Sequence, residues 1–197
     1  MANQMQEMLL PKQLPDSDKL QISAYYKPHL EVGGDFYDVM EISKNETVIC
    51  MADVSGKGIS AALMMANFQA HLRANVKVES DLEVVMNNLN EVVWSNAFGD
   101  RYITCFIAKY DSKTRVLEYI NAAHPAAQLI QNKRVYELGQ GCVGLGMFEQ
   151  IPTINKTSKV IAKNAAMLLY TDGITETSND NEEQFQDGKM QEVLMGL

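Results

Sequence analysis

At 197 residues the chain is long enough for one ordinary domain with a substantial core, and its 46% hydrophobic and 21% charged residues exclude a disordered polymer. A formal net charge of -8 argues against a nucleic-acid-binding or anionic-membrane surface. No apolar run reaches the about 18 residues that a membrane span needs. The start, Met1-Ala2-Asn3-Gln4, lacks the basic and apolar pattern of a signal peptide. Cys50, Cys105 and Cys142 are odd in number and widely spaced, and His29, His71 and His124 show no ligand spacing. This predicts buried thiols in a reducing compartment rather than a disulfide or zinc set, and a cytoplasmic location.

Residues 4–14 hold Met5, Met8, Leu9 and Pro11 and read as a short amphipathic helix broken by Pro11 and Pro15. Residues 1–15 therefore read as a linker or switch helix at the tail of a longer connecting segment, with the main domain over 16–197. Alternation over 20–26 predicts a half-buried strand, and 36–42 a second. The run over 47–54 is apolar almost throughout and predicts a strand covered on both faces. Residues 59–76, rich in Ala, Leu and Met, predict a helix after the turn at Gly56 and Gly58. A second helix is expected from Ser80, with Glu83 completing a capping box. Its stripe of Leu82, Val85, Met86, Leu89, Val92 and Val93 has helical spacing and reads as core packing. Strands are expected over 102–110, 115–121, 127–131 and 134–138, with a late buried strand over 163–171. The acidic stretch 176–187 reads as a loop and 185–194 as the start of a last helix. The order is not the regular alternation of a parallel sheet. It predicts an α+β fold with two packed antiparallel sheets and helices outside them.

Two of the apolar runs end in an aspartate followed closely by glycine: Ala52-Asp53-Val54-Ser55-Gly56 and Tyr170-Thr171-Asp172-Gly173. A carboxylate at the mouth of a buried strand is costly to desolvate without a partner, and neither run contains Lys or Arg. Asp35, after Gly33-Gly34, opens a third such stretch. Three carboxylates at strand mouths imply a site for hard divalent cations, which prefer oxygen ligands. The alternative is that each aspartate is a turn former. Asp38 lies three residues from Asp35, on the opposite face of a strand, and reads as a structural hydrogen-bonding group.

Six segments in order are similar to one known family: Leu9-Leu10-Pro11, Val32-Gly33-Gly34-Asp35-Phe36-Tyr37-Asp38, Ala52-Asp53-Val54-Ser55-Gly56-Lys57-Gly58, Ala61-Ala62-Leu63-Met64, Asn121-Ala122-Ala123-His124-Pro125 and Tyr170-Thr171-Asp172-Gly173-Ile174-Thr175-Glu176. Together they resemble the SpoIIE-like branch of the PPM-type metal-dependent serine/threonine protein phosphatases. The resemblance implies a four-layer α-β-β-α sandwich, two central antiparallel sheets flanked by helices. It implies two Mn2+ or Mg2+ ions at one edge of the sandwich, with Asp53 bridging both. The backbone carbonyl of Val54, with Asp35 and Asp172, completes much of the shell. Two divalent ions about 3.5–4 Å apart need a shared anionic ligand, and water held between them ionises near neutral pH to attack phosphorus.

The implied reaction is hydrolysis of phosphoserine or phosphothreonine on a regulatory protein, commonly an anti-sigma-factor antagonist in this branch. The helix before the domain implies a homodimer contact. The family's usual Asn-Ala-Gly-His-Pro has Ala123 in place of its glycine, and His124 is assigned no role; Lys57 stays open. A further aspartate after the last helix, usual in the family, does not occur before Leu197, so the chain is expected to lack the C-terminal strand. That departure keeps a second reading alive, a non-catalytic pseudo-phosphatase that binds a phosphoprotein or a dimer partner. A nucleotide phosphohydrolase lacks a P-loop sequence.

Overall fold

The computed structural model describes residues 9–27, 33–97, 100–179, 182 and 184–196. In chain order its elements are β1 (Asp16–Ser17), β2 (Leu20–Gln21), β3 (Asp35–Glu41), β4 (Glu46–Val54), α1 (Ile59–Val78), α2 (Leu82–Ala97), β5 (Ile103–Asp111), β6 (Val116–Ala122), β7 (Ala127–Gln131), β8 (Arg134–Leu138), β9 (Gly141–Cys142), β10 (Thr157–Val160), β11 (Ala166–Leu168), α3 (Asp172–Thr175) and α4 (Gln186–Met195). The fold is mixed α+β, with two principal sheets. One runs β10-β6-β5-β4-β3, with β9 added in parallel beside β6; the other runs β11-β7-β8. No described helix is long and apolar enough to cross a membrane.

β4 sits inside the larger sheet because its residues are apolar on both faces and need cover on both. One face, with Phe36, Cys50, Ala52 and Ile107, packs against Met65, Phe68 and Leu72 of α1 and Val85, Met86 and Leu89 of α2. Phe36 and Phe68 meet edge to face at 6.2 Å. Phe106, Tyr119 and Leu117 of the larger sheet cluster with Ala127, Leu129 and Leu138 of the smaller one. Met190 and Leu194 of α4 then join Tyr170, Ile130 and Leu168 in a third cluster. Each fully buried side chain of this size contributes about 1.5–3 kcal/mol, so the clusters fix the order of the elements.

Several expected elements differ. The strand over 20–26 shrinks to Leu20–Gln21 paired with Asp16–Ser17, because residues 22–27 are largely exposed (Tyr25 at 87%) and have no sheet to bury their apolar positions. The strand over 163–171 shrinks to Ala166–Leu168 on the edge of the smaller sheet; Asn164, at φ 57°, turns the chain just before it. Ser80 does not cap α2. Asp81 does, accepting the Glu83 N–H at 3.0 Å, while Glu79 accepts the Asp81 N–H at 2.8 Å. β9 and β10 carry too few residues to show a period. The expected N-terminal helix falls largely on residues 1–8, outside the described residues. Residues 9–14 form turns and bends, with Leu9 and Leu10 packed on the helix-facing core and the Leu9 carbonyl accepting from Gln69 Nε2. Cys50 and Cys105 are buried with their sulfurs 3.6 Å apart, and Cys142 is partly buried.

Asp38 is fully buried on the helix-facing side of β3, as its spacing from Asp35 predicts. Arg73 of α1 grips it through Nε at 2.6 Å and Nη2 at 3.1 Å, and the Val39 N–H donates to it at 2.9 Å. The carboxylate is desolvated while the guanidinium is half exposed, so removing the cation strands a buried anion. Arg73→Met is expected to cost about 2 kcal/mol in urea unfolding, below the range for wholly buried pairs. A loss under about 0.5 kcal/mol would mean that water replaces the guanidinium at no cost.

Candidate metal centre

The antiparallel register sets Asp35 directly opposite Asp53, and Asp53 opposite Thr104 on β5. Opposed residues share a face, so these three form a row across the mouth of the larger sheet, on the side facing the smaller sheet. Asp35 and Asp53 are half-buried. Asp172 is exposed at the start of α3.

The electrostatics tie the three carboxylates together. Burial and the Asp172 charge raise the Asp35 pKa, opposed by a hydrogen bond from the Thr171 side chain. Asp53 is pushed up to about 7 by burial, then by Asp35 and Asp172, against a hydrogen bond from the Val54 backbone. Among the described residues, however, no three Asp, Glu, His or Cys side chains converge tightly enough to form a ready cage. Mutual repulsion opposes closer approach of three carboxylates.

Backbone oxygen adds to the set. A Cβ placed on Gly34 would lie 2.6 Å from the Val54 carbonyl oxygen and 2.8 Å from Asp53 Oδ1. Only glycine leaves that space open, and two oxygens of the type that hard cations prefer border it. The Val54 N–H donates to the Gly34 carbonyl at 3.3 Å, which holds the two strand ends together. The donor set of carboxylates and a carbonyl fits Mg2+ or Mn2+ and has no soft ligand.

The turn after Val54 is built by its glycines. Gly56 has φ 95°, and a Cβ there would lie 2.9 Å from Arg101 Nη1. Arg101 donates to the Ser55 carbonyl at 3.3 Å, and Ser55 exchanges bonds of 2.9 Å with the Tyr102 backbone. Lys57 is exposed on this turn.

Asp53 and Asp172 line a cleft of about 170 Å³ with Ser55, Tyr102, Thr104 and His124. A larger groove of about 440 Å³ lies between α1 and α2 and includes none of the three aspartates. His124 and Thr104 were not legible as site residues. A single threonine carries no motif, and only the strand register reveals its position. His124 is buried, with Nδ1 2.9 Å from Thr104 Oγ1. Burial pushes its pKa down to about 4, although the Tyr170 backbone favours the protonated ring. Ala123 before it holds φ 53°, a left-handed conformation costing about 1–2 kcal/mol outside glycine.

Comparison with known proteins decides the family. Residues 43–196 match the model for stage II sporulation protein E, SpoIIE. The chain belongs to the SpoIIE family. This SpoIIE-family chain is 29% identical over 182 residues to the phosphoserine phosphatase RsbU of Bacillus subtilis, covering 91% of the chain and 54% of RsbU. It thus spans about half the length of that relative. Among solved structures, the SiaA PP2C domain of Pseudomonas aeruginosa superposes with a TM-score of 0.81 at 19% identity, covering 98% of this chain and 78% of that one. RsbX in complex with magnesium gives 0.61 at 16% identity, covering 83% of this chain and 79% of that one. These likenesses establish a PP2C-type fold.

The raised Asp53 pKa has a direction that can be tested. In the metal-free protein, folded Asp53 keeps its proton where the unfolded residue, near 3.8, has lost it. Its contribution to stability is full below about 4 and is lost as pH rises through about 7. His124 acts in the opposite sense between about 4 and 6.5, so the parent's own curve mixes the two. The difference isolates Asp53: in EDTA, Asp53→Asn is expected to gain stability relative to the parent as pH rises from 4 to 7. Thermal unfolding across that range checks this, and a flat or falling difference would contradict it.

Proposed function

We propose that this domain is a divalent-metal-dependent phosphatase that hydrolyses phosphoserine or phosphothreonine on a regulatory protein. The observation that carries the reading is the opposed pair Asp35 and Asp53, with Asp172 close enough to raise the pKa of both. Asp53 would be shared between two Mn2+ or Mg2+ ions, with Asp35, Asp172 and the Val54 carbonyl as further ligands. Bound there, the ions supply Lewis acidity, which lowers the pKa of water and screens phosphoryl charge. The chain's own contribution is an anionic edge, a glycine gap at Gly34 bordered by the Val54 carbonyl and Asp53 Oδ1, and a cleft lined by Asp53 and Asp172.

Family membership supports the substrate class we propose: a serine- or threonine-phosphorylated signalling protein, with an anti-sigma-factor antagonist as the specific candidate. The net charge of -8 supports a protein substrate over nucleic acid or an anionic membrane, and the free cysteines Cys50, Cys105 and Cys142 support a cytoplasmic setting. We read the three apolar clusters as the interfaces of a four-layer α-β-β-α sandwich. Residues 1–15 would be the linking segment and 16–197 the phosphatase domain. Leu9 and Leu10, seated on the core, support an attachment through which a homodimer contact or a sensor would act.

One observation favours the non-catalytic alternative: Asp172 is exposed, and among the described residues no three acidic, His or Cys side chains form a closed ligand set. Turnover separates the two readings. With Mn2+, the protein is expected to hydrolyse an aryl phosphate and a phosphoserine peptide, and to stop on addition of EDTA. Asp53→Asn should lower kcat/KM by more than about 100-fold, beyond the usual effect of residues that only support a ligand. Asp38→Asn should lower the melting temperature and leave turnover within a few-fold. Activity that survives chelation would refute metal catalysis. Tight Mn2+ binding without hydrolysis would establish the binding module instead.

A further inference from the structure

The ladder of β4 ends at Val54, and the chain then enters a turn with little to stiffen it. Gly56 holds φ 95°, and α1 begins at Ile59 without a side-chain cap. Glycine leaves such a turn free to swing. What holds it is the segment just before β5. The Ser55 N–H donates to the Tyr102 carbonyl at 2.9 Å, and the Tyr102 N–H donates to Ser55 Oγ at 2.9 Å. Arg101 adds a third bond, from Nη1 to the Ser55 carbonyl at 3.3 Å. A Cβ on Gly56 would lie 2.9 Å from the same Nη1, so the guanidinium lies against the turn itself.

These bonds decide where the Val54 carbonyl points. Its oxygen and the Ser55 N–H belong to one peptide unit, which is planar and trans, so the two point in opposite directions. With the N–H turned to Tyr102 on the β5 side, the oxygen faces β3 and borders the gap at Gly34, beside Asp53 Oδ1. Arg101 grips the next peptide unit, between Ser55 and Gly56, and so fixes the turn from outside. Charge does not explain the residue. Among the described residues Arg101 is in no ion pair, and a cation near a site for cations opposes their binding. Its donors, rather than its charge, suit the place.

We propose that Arg101 is a positioning residue for the metal centre: by holding the Ser55 carbonyl it locks the 54–56 turn and keeps the Val54 carbonyl aimed into the gap beside Asp53. The inference rests on the metal reading of the same site. The same side chain lines the groove between α1 and α2, with Leu63, Met64 and Val92, so it borders that groove and the metal-site turn at once.

Calorimetric titration of the full chain with Mn2+ tests this, beside melting temperatures in EDTA. The two ways a guanidinium can act here have opposite signs. Acting by charge alone, its removal would tighten Mn2+ binding; holding the turn, its removal loosens it. Arg101→Met is expected to weaken Mn2+ binding about 10-fold, the lower end of the usual effect of losing a group that orients a ligand. Arg101→Lys should stay within about 3-fold of the parent, because its ammonium falls one bond short of Nη1 on a flexible stem. Arg101→Gln, two bonds short, should lose affinity as Arg101→Met does, and serves if Arg101→Met fails to fold. Unchanged or tighter binding in these two variants, whatever their melting temperatures, would overturn the positioning role while leaving the metal centre intact. Equal losses in Arg101→Lys and Arg101→Met would overturn the assignment to the hydrogen bond. A parent that binds no Mn2+, with Asp53→Asn as the blank, would remove the metal reading and this inference with it.

Discussion

The pairing of β3 with β4 is the constraint on which the rest depends. Strand side chains alternate, so a slip of one residue would carry every group of β3 to the other face. Asp35 would then turn toward the helices, and Asp38 would leave Arg73. The apolar residues prevent the slip: Phe36 is locked against Phe68 on one side, while Met51 and Phe106 are paired neighbours on the other. Burial thus sets the register, and the register sets Asp35 opposite Asp53. The same logic places Thr104 in the row and brings the end of β6, with His124, to the cleft.

The site holds its carboxylates at a cost in stability. Burial first, and then the neighbouring carboxylates, raise the pKa of Asp35 and Asp53, and the surrounding fold must offset that cost. The compensation lies on the far face, where Asp38 and Arg73 form a paired charge against α1 and the core closes over β4. Two aspartates three residues apart therefore do opposite things. Asp38 is satisfied and anchors the strand, whereas Asp35 faces Asp53 across the strand pair, the arrangement on which the proposed cation site rests. Membership of the SpoIIE family gives that second role a chemical setting, and the PP2C-type neighbours share the fold that carries it.

Much of this was legible in the sequence wherever a period was long enough to read. The strands over 36–42, 47–54, 127–131 and 134–138 and the helix from Ile59 all lie where the pattern put them, within a residue or two. Failures have local causes. Alternation over 20–26 mimics a strand but meets no sheet. Ser80 and Glu83 mimic a capping box, yet Asp81 and Glu79 are stronger acceptors one residue on either side. β9 and β10 exist only because the edge of β6 was there to receive them. The candidate ligands Asp35, Asp53 and Asp172 were singled out by their places at the mouths of strand-like runs, and the structure sets Asp35 opposite Asp53. Thr104 and His124 were not singled out, because their positions depend on strand register and on the turn at Ala123, which no short motif encodes.

The most direct measurement of the central claim is a crystal of the protein grown with Mn2+, with data collected at the manganese absorption edge. Anomalous density is expected within bonding distance of Asp53 and the Val54 carbonyl, with Asp35 and Asp172 turned toward it. Manganese bound elsewhere on the surface, with Asp35 and Asp53 left facing water, would contradict the metal assignment.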